Sequence, residues 1–467
     1  MNTKPRVMFA TGVGTVTGSN FVVQAPDGAG STLGAQILVD CGLVQGEKVA
    51  LDMNRDPFPY KPADIRALII THAHLDHVGR IPKLVKEGFH GPIYSTPQTR
   101  ELAELVLNDA VGILQDEARR GGVLPLYELP DVQKVFPLWK TIPYHQAFEP
   151  APGFSVTLKD AGHILGSSMV ELTIGAPGDP ATRTMLFTGD LGNSPAPLLR
   201  DTEPAGDIDY LAMESTYGDK NHESRDQRLE IFTGVITSTL ARGGTLIIPS
   251  FAIDRTQVLI YELNQLIESG KIPRVPVFVD SPLAIKATEV YHRSEDLFND
   301  TVRAQIARGD DIFRFPGLEY AMTGEESRHA DRLNSAKIIL AGSGMSAGGR
   351  IVSHEETFLP DARSTVLLVG YQAAGSLGRE LADGARTVRI HDHDVNVRAR
   401  IETLYGYSAH KDSDHLVGFA STATSRLRRI FVILGEPHSS MHLAQRLNDE
   451  LHANAGIPEL RKWYELE

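Results

Sequence analysis

Cysteine is nearly absent: Cys41 stands alone among 467 residues. A single thiol excludes an internal disulfide, and with it the small secreted scaffolds that disulfides hold together. Long hydrophobic runs are missing as well. No window offers the roughly 20 uncharged apolar residues that a membrane-spanning helix needs. The opening MNTKPRVMFATG lacks the apolar stretch of a secretory signal. Together these absences predict a cytoplasmic protein. Positive charge is in deficit too, with 46 Lys and Arg against 59 Asp and Glu and a net charge of -13. That excludes broad, non-specific adhesion to nucleic acid. It leaves room for a nucleic-acid substrate in a locally basic cleft, since a few cationic side chains and bound metal can reverse the sign there. Repeats and low-complexity tracts are also absent. The 42% hydrophobic and 22% charged content is that of a globular chain long enough for two or three domains.

What is present is a set of apolar, β-branched runs that stop abruptly at polar residues. Ala35 to Val39 leads to Asp40, Ala67 to Ile70 leads through Thr71 to His72, and Met185 to Phe187 leads to Asp190. Val156 to Leu158 precedes His163. Such runs read as buried strands, and the loops at strand ends are where a rigid scaffold presents reactive groups. Several strands ending in His or Asp predict one shared site. After about Asp207 strands and helices alternate. Thr245 to Pro249 is a strand, after which Asp254 is expected to N-cap a helix whose Leu259, Leu263 and Leu266 share a face. Val275 to Val279 precedes Ser281-Pro282, a cap with proline at the first helical position. Lys337 to Ala341 and Thr365 to Val369 each enter a Gly-rich loop. Repeated units of this kind predict an inserted α/β domain with a largely parallel sheet. The strand Ile430 to Leu434 and the helix after it are expected to return to the first domain.

The stretch THAHLDHVGRIP, Thr71 to Pro82, carries the chemistry. His72 and His74 can bind one cation from an extended or turned backbone, while Asp76 and His77, one turn later, can face a second. Imidazole with carboxylate suits Zn²⁺, or Mn²⁺ in an oxygen-rich site. A histidine-rich surface turn is the plain alternative, and the adjoining buried strand argues against it. His163 in DAGHILGSS and Asp190 in FTGDLG are the natural completing ligands. A carboxylate such as Asp190 can bridge two cations, and a hydroxide bridging the pair would be the nucleophile. Elsewhere Gly342 to Gly349 and Gly375 to Gly378, followed by Arg350 and Arg379, can cradle phosphates or simply turn a strand into a helix. Lys286 is a weaker candidate. His391, His393, Asp392 and Asp394 read as a solvated polar junction rather than an extra metal site, and Cys41 as a small buried residue.

His-x-His-x-Asp-His after a strand, with the later His163 and Asp190, resembles the metallo-β-lactamase superfamily. The inserted segment narrows the resemblance to its β-CASP group of nucleases. It rests also on GTVTGSNF (Gly14 to Phe21), MESTYGD (Met213 to Asp219), PSFAIDRTQ (Pro249 to Gln257), DSPLA (Asp280 to Ala284), GSGMSAGGR (Gly342 to Arg350), GYQAAGSLGR (Gly370 to Arg379) and GYSAHKD (Gly406 to Asp412). The RNA-cleaving bacterial and archaeal members and the eukaryotic pre-mRNA 3′-end endonuclease are similar in pattern. The resemblance implies an αββα sandwich with an inserted α/β domain: residues 1-206 and 392-467 forming the metallo-β-lactamase domain, and 207-391 the insertion. It implies His72, His74 and His163 on one zinc, Asp76 and His77 on the other, Asp190 on both, and Asp40 orienting a ligand histidine. It further implies Glu214 orienting His410, which protonates the leaving oxygen, and Arg350, Arg379, Ser376 and Gly378 on substrate.

One position departs from the pattern. RNA-cleaving members end the last strand in His-Gly-Glu, whose histidine binds the second metal. This chain has FVILGEP, with Leu434 at that place, as DNA-cleaving relatives have an aliphatic residue. The second metal is therefore expected to bind weakly, with His438 either swinging in or simply opening the final helix. The reading reached is a zinc-dependent ribonuclease that hydrolyses single-stranded RNA, with a homodimer left open. The alternatives are a single-strand DNA nuclease of the same chemistry and, less in keeping with the intact cluster, a silent RNA-binding subunit.

Overall fold

The computed structural model describes residues 4–27, 34–45, 48–176, 178–372 and 375–467, without the side chains of 48–51. Ala373 and Ala374 of the GYQAAGSLGR stretch lie outside the described residues. The chain divides into two compact units, one of residues 1–196, 201–221 and 410–467, the other of 197–200 and 222–409.

In the first unit, a seven-stranded sheet runs in the order Trp463–Glu465, Arg6–Thr11, Asn20–Gln24, Gln36–Val39, Ile65–Ile69, Ile93–Ser95, Trp139–Thr141. A six-stranded sheet runs Ala455–Gly456, Arg429–Ile433, Tyr210–Glu214, Arg183–Phe187, Ser168–Ile174, Phe154–Asp160. Alternate residues of each strand meet in one core between the sheets. Val7, Phe9, Phe21, Val39 and Ile69 come from the first, and Val156, Leu172, Phe187, Ala212 and Phe431 from the second. The opposite residues of the second sheet, Met169, Leu186, Met213 and Val432, pack with Leu416, Val417, Leu443 and Leu447 of the helices Ser413–Ala420 and Pro437–Leu451. On the first sheet's side runs the helix Pro97–Gly121, with Thr96 accepting from the Thr99 amide at its start and Gly122 at φ 64° closing it. Two faced sheets under flanking helices make the αββα sandwich. No helix among the described residues is long and apolar enough to cross a membrane.

The second unit is built on a six-stranded sheet in which every pair is parallel, in the order Leu318–Tyr320, Val277–Asp280, Lys337–Ala341, Thr245–Pro249, Thr365–Val369, Arg400–Leu404. Ile247, Phe278, Ile339 and Val366 on one face pack against Ile351, Phe358 and Leu381 of its helices. Strand Tyr210–Glu214, after the expected start of the insertion at 207, pairs with Arg183–Phe187 and Arg429–Ile433 of the first unit's sheet. Strand Arg400–Leu404, after the expected end at 391, pairs with Thr365–Val369 of the second unit's sheet. Ser281 caps its helix as expected, accepting from the Ala284 amide with Pro282 at the first position. Asp254 departs from expectation. It sits at the N-cap position with φ 69° and makes no capping bond; its carboxylate instead accepts from the Tyr291 hydroxyl, and burial raises its pKa to about 6. Near the unit's last residues, Glu262 accepts from both Arg228 and the Tyr407 hydroxyl, and Arg228 donates to Gly406 O, pinning the Gly406–Tyr407 turn.

Candidate metal centre

Parallel pairing aligns strand ends, and that alignment gathers the polar residues of the first unit. Gln36–Val39 and Ile65–Ile69 run side by side, so Asp40 and Thr71 emerge together, and the Asp40 amide donates to Ile69 O. In the other sheet, Phe187 lies opposite Ala212 and Glu214 opposite Ile433, which brings Asp190, Glu214 and Leu434 to one edge. His74 stands before a short helix, Leu75–Val78, that turns Asp76 and His77 back over the strand ends. Gly42 permits the approach beneath, because a Cβ there would stand 1.5 Å from Asp76 O.

Two groups of donors result, joined by one carboxylate. His72, His74, His163 and Asp190 offer ligand atoms within 4.8 Å of one another, and Asp76, His77 and Asp190 do likewise. His74 Nδ1 lies 3.1 Å from His72 Nε2 and 3.2 Å from His163 Nε2. Asp190 Oδ2 is 3.4 Å from His72 Nε2 and 3.6 Å from His163 Nε2, while its Oδ1 is 3.4 Å from His77 Nε2. Burial lowers the pKa of His74 and of His163 and so keeps both imidazoles neutral, the form that binds metal. His77 Nε2 is fully buried and has no hydrogen-bond partner among the described residues. A buried ring nitrogen facing two carboxylates without a hydrogen bond is the mark of a cation ligand, and imidazoles with carboxylates fit a borderline dication. The residues present therefore fit the metal.

Asp40 organises this arrangement from behind. It is fully buried at φ 59° and accepts hydrogen bonds from His77 Nδ1–H at 2.7 Å, Ser19 Oγ at 2.9 Å and the Thr71 amide at 2.8 Å. The Thr71 hydroxyl also reaches Asp40, and it lies 3.1 Å from His72 Nδ1. Ser19 and Thr71 were missed in the sequence, although both lie inside quoted stretches; a hydroxyl beside a ligand run was the available signal. On the other side, His410 Nδ1 lies 3.0 Å from Glu214 Oε2, and its ring is 4.7 Å from that of His163. Burial opposes charge on His410, but Glu214 and then Asp190 prevail and raise its pKa to about 9. Lys411, also missed, donates from Nζ to Gly192 O and to Ser194 Oγ, and burial lowers its pKa to about 8.

Leu434 has φ 48°, donates its amide to Gly12 O and is buried in the core beside Phe21. His438 does not swing in toward Asp76 and His77. It opens the final helix, largely exposed, with Nε2 3.8 Å from Asp219. Cys41 is buried, and burial pushes its thiol up to about 12, which leaves it inert.

Of the residues expected on substrate, most already have protein partners. Arg350 donates to Asp280 and to the carbonyls of Ala321 and Met322. The Gly378 amide donates to Met345 O, and Ser376 Oγ caps its own helix. Arg379 keeps an exposed guanidinium that pairs one turn along, with Asp383. His391 and His393 both meet half-buried Glu356, at 2.9 and 2.6 Å. Beneath the Gly-rich loop, buried His354 lies 2.8 Å from Asp280 and 2.6 Å from Asp331. Burial opposes its charge, yet the two carboxylates raise its pKa from 6.5 to about 9. The stability gained from that charge is full below about pH 6.5 and is lost as pH rises through about 9, on the order of 3 kcal/mol. Thermal unfolding measured between about pH 6.5 and pH 10 should show this decline in the wild type, and a flatter profile in His354→Gln.

Three family models match the chain: the metallo-β-lactamase superfamily over residues 22–160, the Beta-Casp domain over 256–381, and the Zn-dependent metallo-hydrolase RNA specificity domain over 394–458. Ribonuclease TTHA0252 of Thermus thermophilus is 34% identical over 414 residues, spanning 89% of this chain and 91% of that protein. Transcription termination factor FttA of Cenarchaeum symbiosum is 31% identical over 448 residues, spanning 92% of this chain and 67% of its own length. FttA of Thermococcus kodakarensis is 33% identical, and the chain spans 60% of it. Among solved structures, a protein of unknown function from Enterococcus faecalis aligns over 99% of this chain with a TM-score of 0.55 at 13% identity, a likeness of fold.

Proposed function

The chain belongs to the β-CASP group of the metallo-β-lactamase superfamily, a group of metal-dependent hydrolases, and from that premise we propose that it is a zinc-dependent ribonuclease acting on single-stranded RNA. The observation that carries this reading is the pair of donor groups sharing Asp190, with the His410–Glu214 pair directly beside them. Three imidazoles with one carboxylate in the first group, and an imidazole with two carboxylates in the second, suit zinc. An RNA specificity domain model matched across His410, and a relative named as a ribonuclease, favour RNA.

His72, His74 and His163 would hold one cation, Asp76 and His77 the other, and Asp190 both. When bound, the metal supplies Lewis acidity toward the phosphate and toward the attacking water. The protein's own part is orientation and proton transfer. Asp40 keeps the His77 proton on Nδ1, leaving Nε2 toward the site. His410, held through Nδ1 by Glu214, presents Nε2 to the leaving oxygen and donates the proton there. Arg379 is the residue proposed to meet the RNA backbone, through its exposed guanidinium.

End-labelled single-stranded RNA and DNA of one sequence, incubated with zinc or manganese and with chelator, test the reading. RNA cleavage that chelator abolishes and zinc restores is the expected result. DNA cut as well as RNA would shift the function to a single-strand DNA nuclease and make Leu434 the decisive residue. No cleavage of either in the metal-loaded protein would overturn the enzymatic reading of the substrate.

A further inference from the structure

Lys411 directly follows the proposed acid in the chain, and only 5% of its surface is exposed. Among the described residues its ammonium donates to a carbonyl and a hydroxyl, Gly192 O and Ser194 Oγ, rather than to a carboxylate. A methionine would fill similar space without the cost of taking a charge out of water. We propose that Lys411 is a positioning residue, which clasps the loop following Asp190 and thereby sets the acid His410 against the shared metal ligand. This role rests on His410 being the acid and adds what holds that acid in place.

A closed circuit of short contacts, all within the first unit, joins the two groups. Glu214 Oε1 accepts from the Leu191 amide at 2.6 Å, and Glu214 Oε2 lies 3.0 Å from His410 Nδ1. In return, the Lys411 amide donates to Leu191 O at 2.9 Å, and Gly192 is bridged to His410 in antiparallel fashion. The Lys411 side chain completes the circuit, with Nζ 2.8 Å from Gly192 O and 3.0 Å from Ser194 Oγ. Gly192 is also held from the opposite side. Its amide donates to Ala161 O at 2.9 Å, and a Cβ on it would stand 1.8 Å from the carbonyl oxygen of Gly162, the residue before His163. The loop is therefore wedged between the segment that carries His163 and the segment that carries His410.

The backbone bridge lays the two segments side by side, and the ammonium adds a second fastening on either side of Asn193. Hydrogen bonds from a charged donor are about twice as strong as those between neutral groups. Two of them, to acceptors two residues apart, fix the loop in direction as well as in distance. Proton transfer depends on such placement, since a displacement of about 1 Å can cost about a hundredfold in rate. Lys411 Nζ faces the loop and not the metal donors. Its loss is therefore felt in turnover through His410, while the metal stays bound.

The test compares zinc-loaded full-length wild type with Lys411→Met, Lys411→Arg, His410→Ala and the double variant of His410→Ala with Lys411→Met. Lys411→Met is expected to lose about 10- to 100-fold in kcat on labelled RNA, at unchanged KM and unchanged zinc content. Lys411→Arg, which keeps the charge and the donors, regains most of that loss. In the His410→Ala background Lys411→Met costs little more, because its effect runs through the missing imidazole. Hydrogen exchange needs no substrate, and it should quicken over residues 191–194 in Lys411→Met alone. Unchanged exchange there, zinc lost along with rate, or full additivity with His410→Ala overturns the positioning role. A wild type that cuts no RNA defeats the ribonuclease reading by itself, and the exchange comparison still decides whether Lys411 clasps the loop.

Discussion

Asp190→Asn is expected to reduce RNA cleavage on the order of a thousandfold or more, the scale of losing a preorganised electrostatic group, and to lower bound zinc in the same preparation. The reason is geometric. Asp190 is the one residue common to both groups of metal donors, with Oδ2 facing His72 and His163 and Oδ1 facing His77. Burial opposes its ionisation, but His77, His72 and His410 hold the carboxyl well below its usual range, so it is anionic wherever the site is assembled. Asparagine keeps the volume, removes the charge, and turns one acceptor into an N–H₂ donor aimed at ring nitrogens that need a cation. Metal content by native mass spectrometry and cleavage of labelled RNA should fall together. Full metal content with full cleavage in this variant would remove Asp190 from its shared position.

His410→Ala separates proton transfer from metal binding. Loss of a positioned general acid lowers the rate about 10²- to 10⁴-fold, and bound zinc should stay at its wild-type level. The contrast matters because Asp190, Glu214 and His410 also lie close enough to form a donor group of their own. If His410→Ala lost metal as well as rate, His410 would be a ligand and not an acid. Glu214→Gln supplies a second arm. Glu214 accepts from the Leu191 amide at 2.6 Å as well as from His410, so glutamine can keep the first contact while weakening the second. A pH–rate profile shifted to lower pH in Glu214→Gln, with zinc retained, is the outcome expected of a carboxylate that keeps an imidazole charged.

Much of this site could be read before any coordinates, because its chemistry is local in sequence. His72, His74, Asp76 and His77 fall within six residues at the end of a buried strand, and the strand is visible from its β-branched run. His163 and Asp190 are legible for the same reason, each following a strand whose apolar pattern is plain, whereas Glu214, the last residue of its strand, is carried only by the resemblance of MESTYGD. What escaped the sequence depends on residues far along the chain. Arg350 looked like a phosphate ligand, but Asp280 and the Ala321 and Met322 carbonyls claim its guanidinium. Asp254 occupies a capping position, but Tyr291, on another helix, takes its carboxylate. Ser19, Thr71 and Lys411 are ordinary polar residues until the fold sets them against Asp40, His72 and Gly192. The strand Tyr210–Glu214 belongs to the first unit because its neighbour, Arg429–Ile433, lies some two hundred residues away, beyond the reach of any local pattern.

The chain leaves the first unit after Asn221 and returns to it at His410, and Tyr217 is bridged to Asp412 in parallel fashion across that gap. The stretch from 222 to 409 therefore starts and ends at neighbouring points, while residues 197–200 group with it from an earlier part of the chain. A stretch whose two ends lie side by side can grow or shrink without pulling the sheets at those ends apart. Sequence drift in the 188 residues from 222 to 409 can thus proceed on its own schedule, while the ligands near Asp190 remain under separate constraint. Such a layout is a socket.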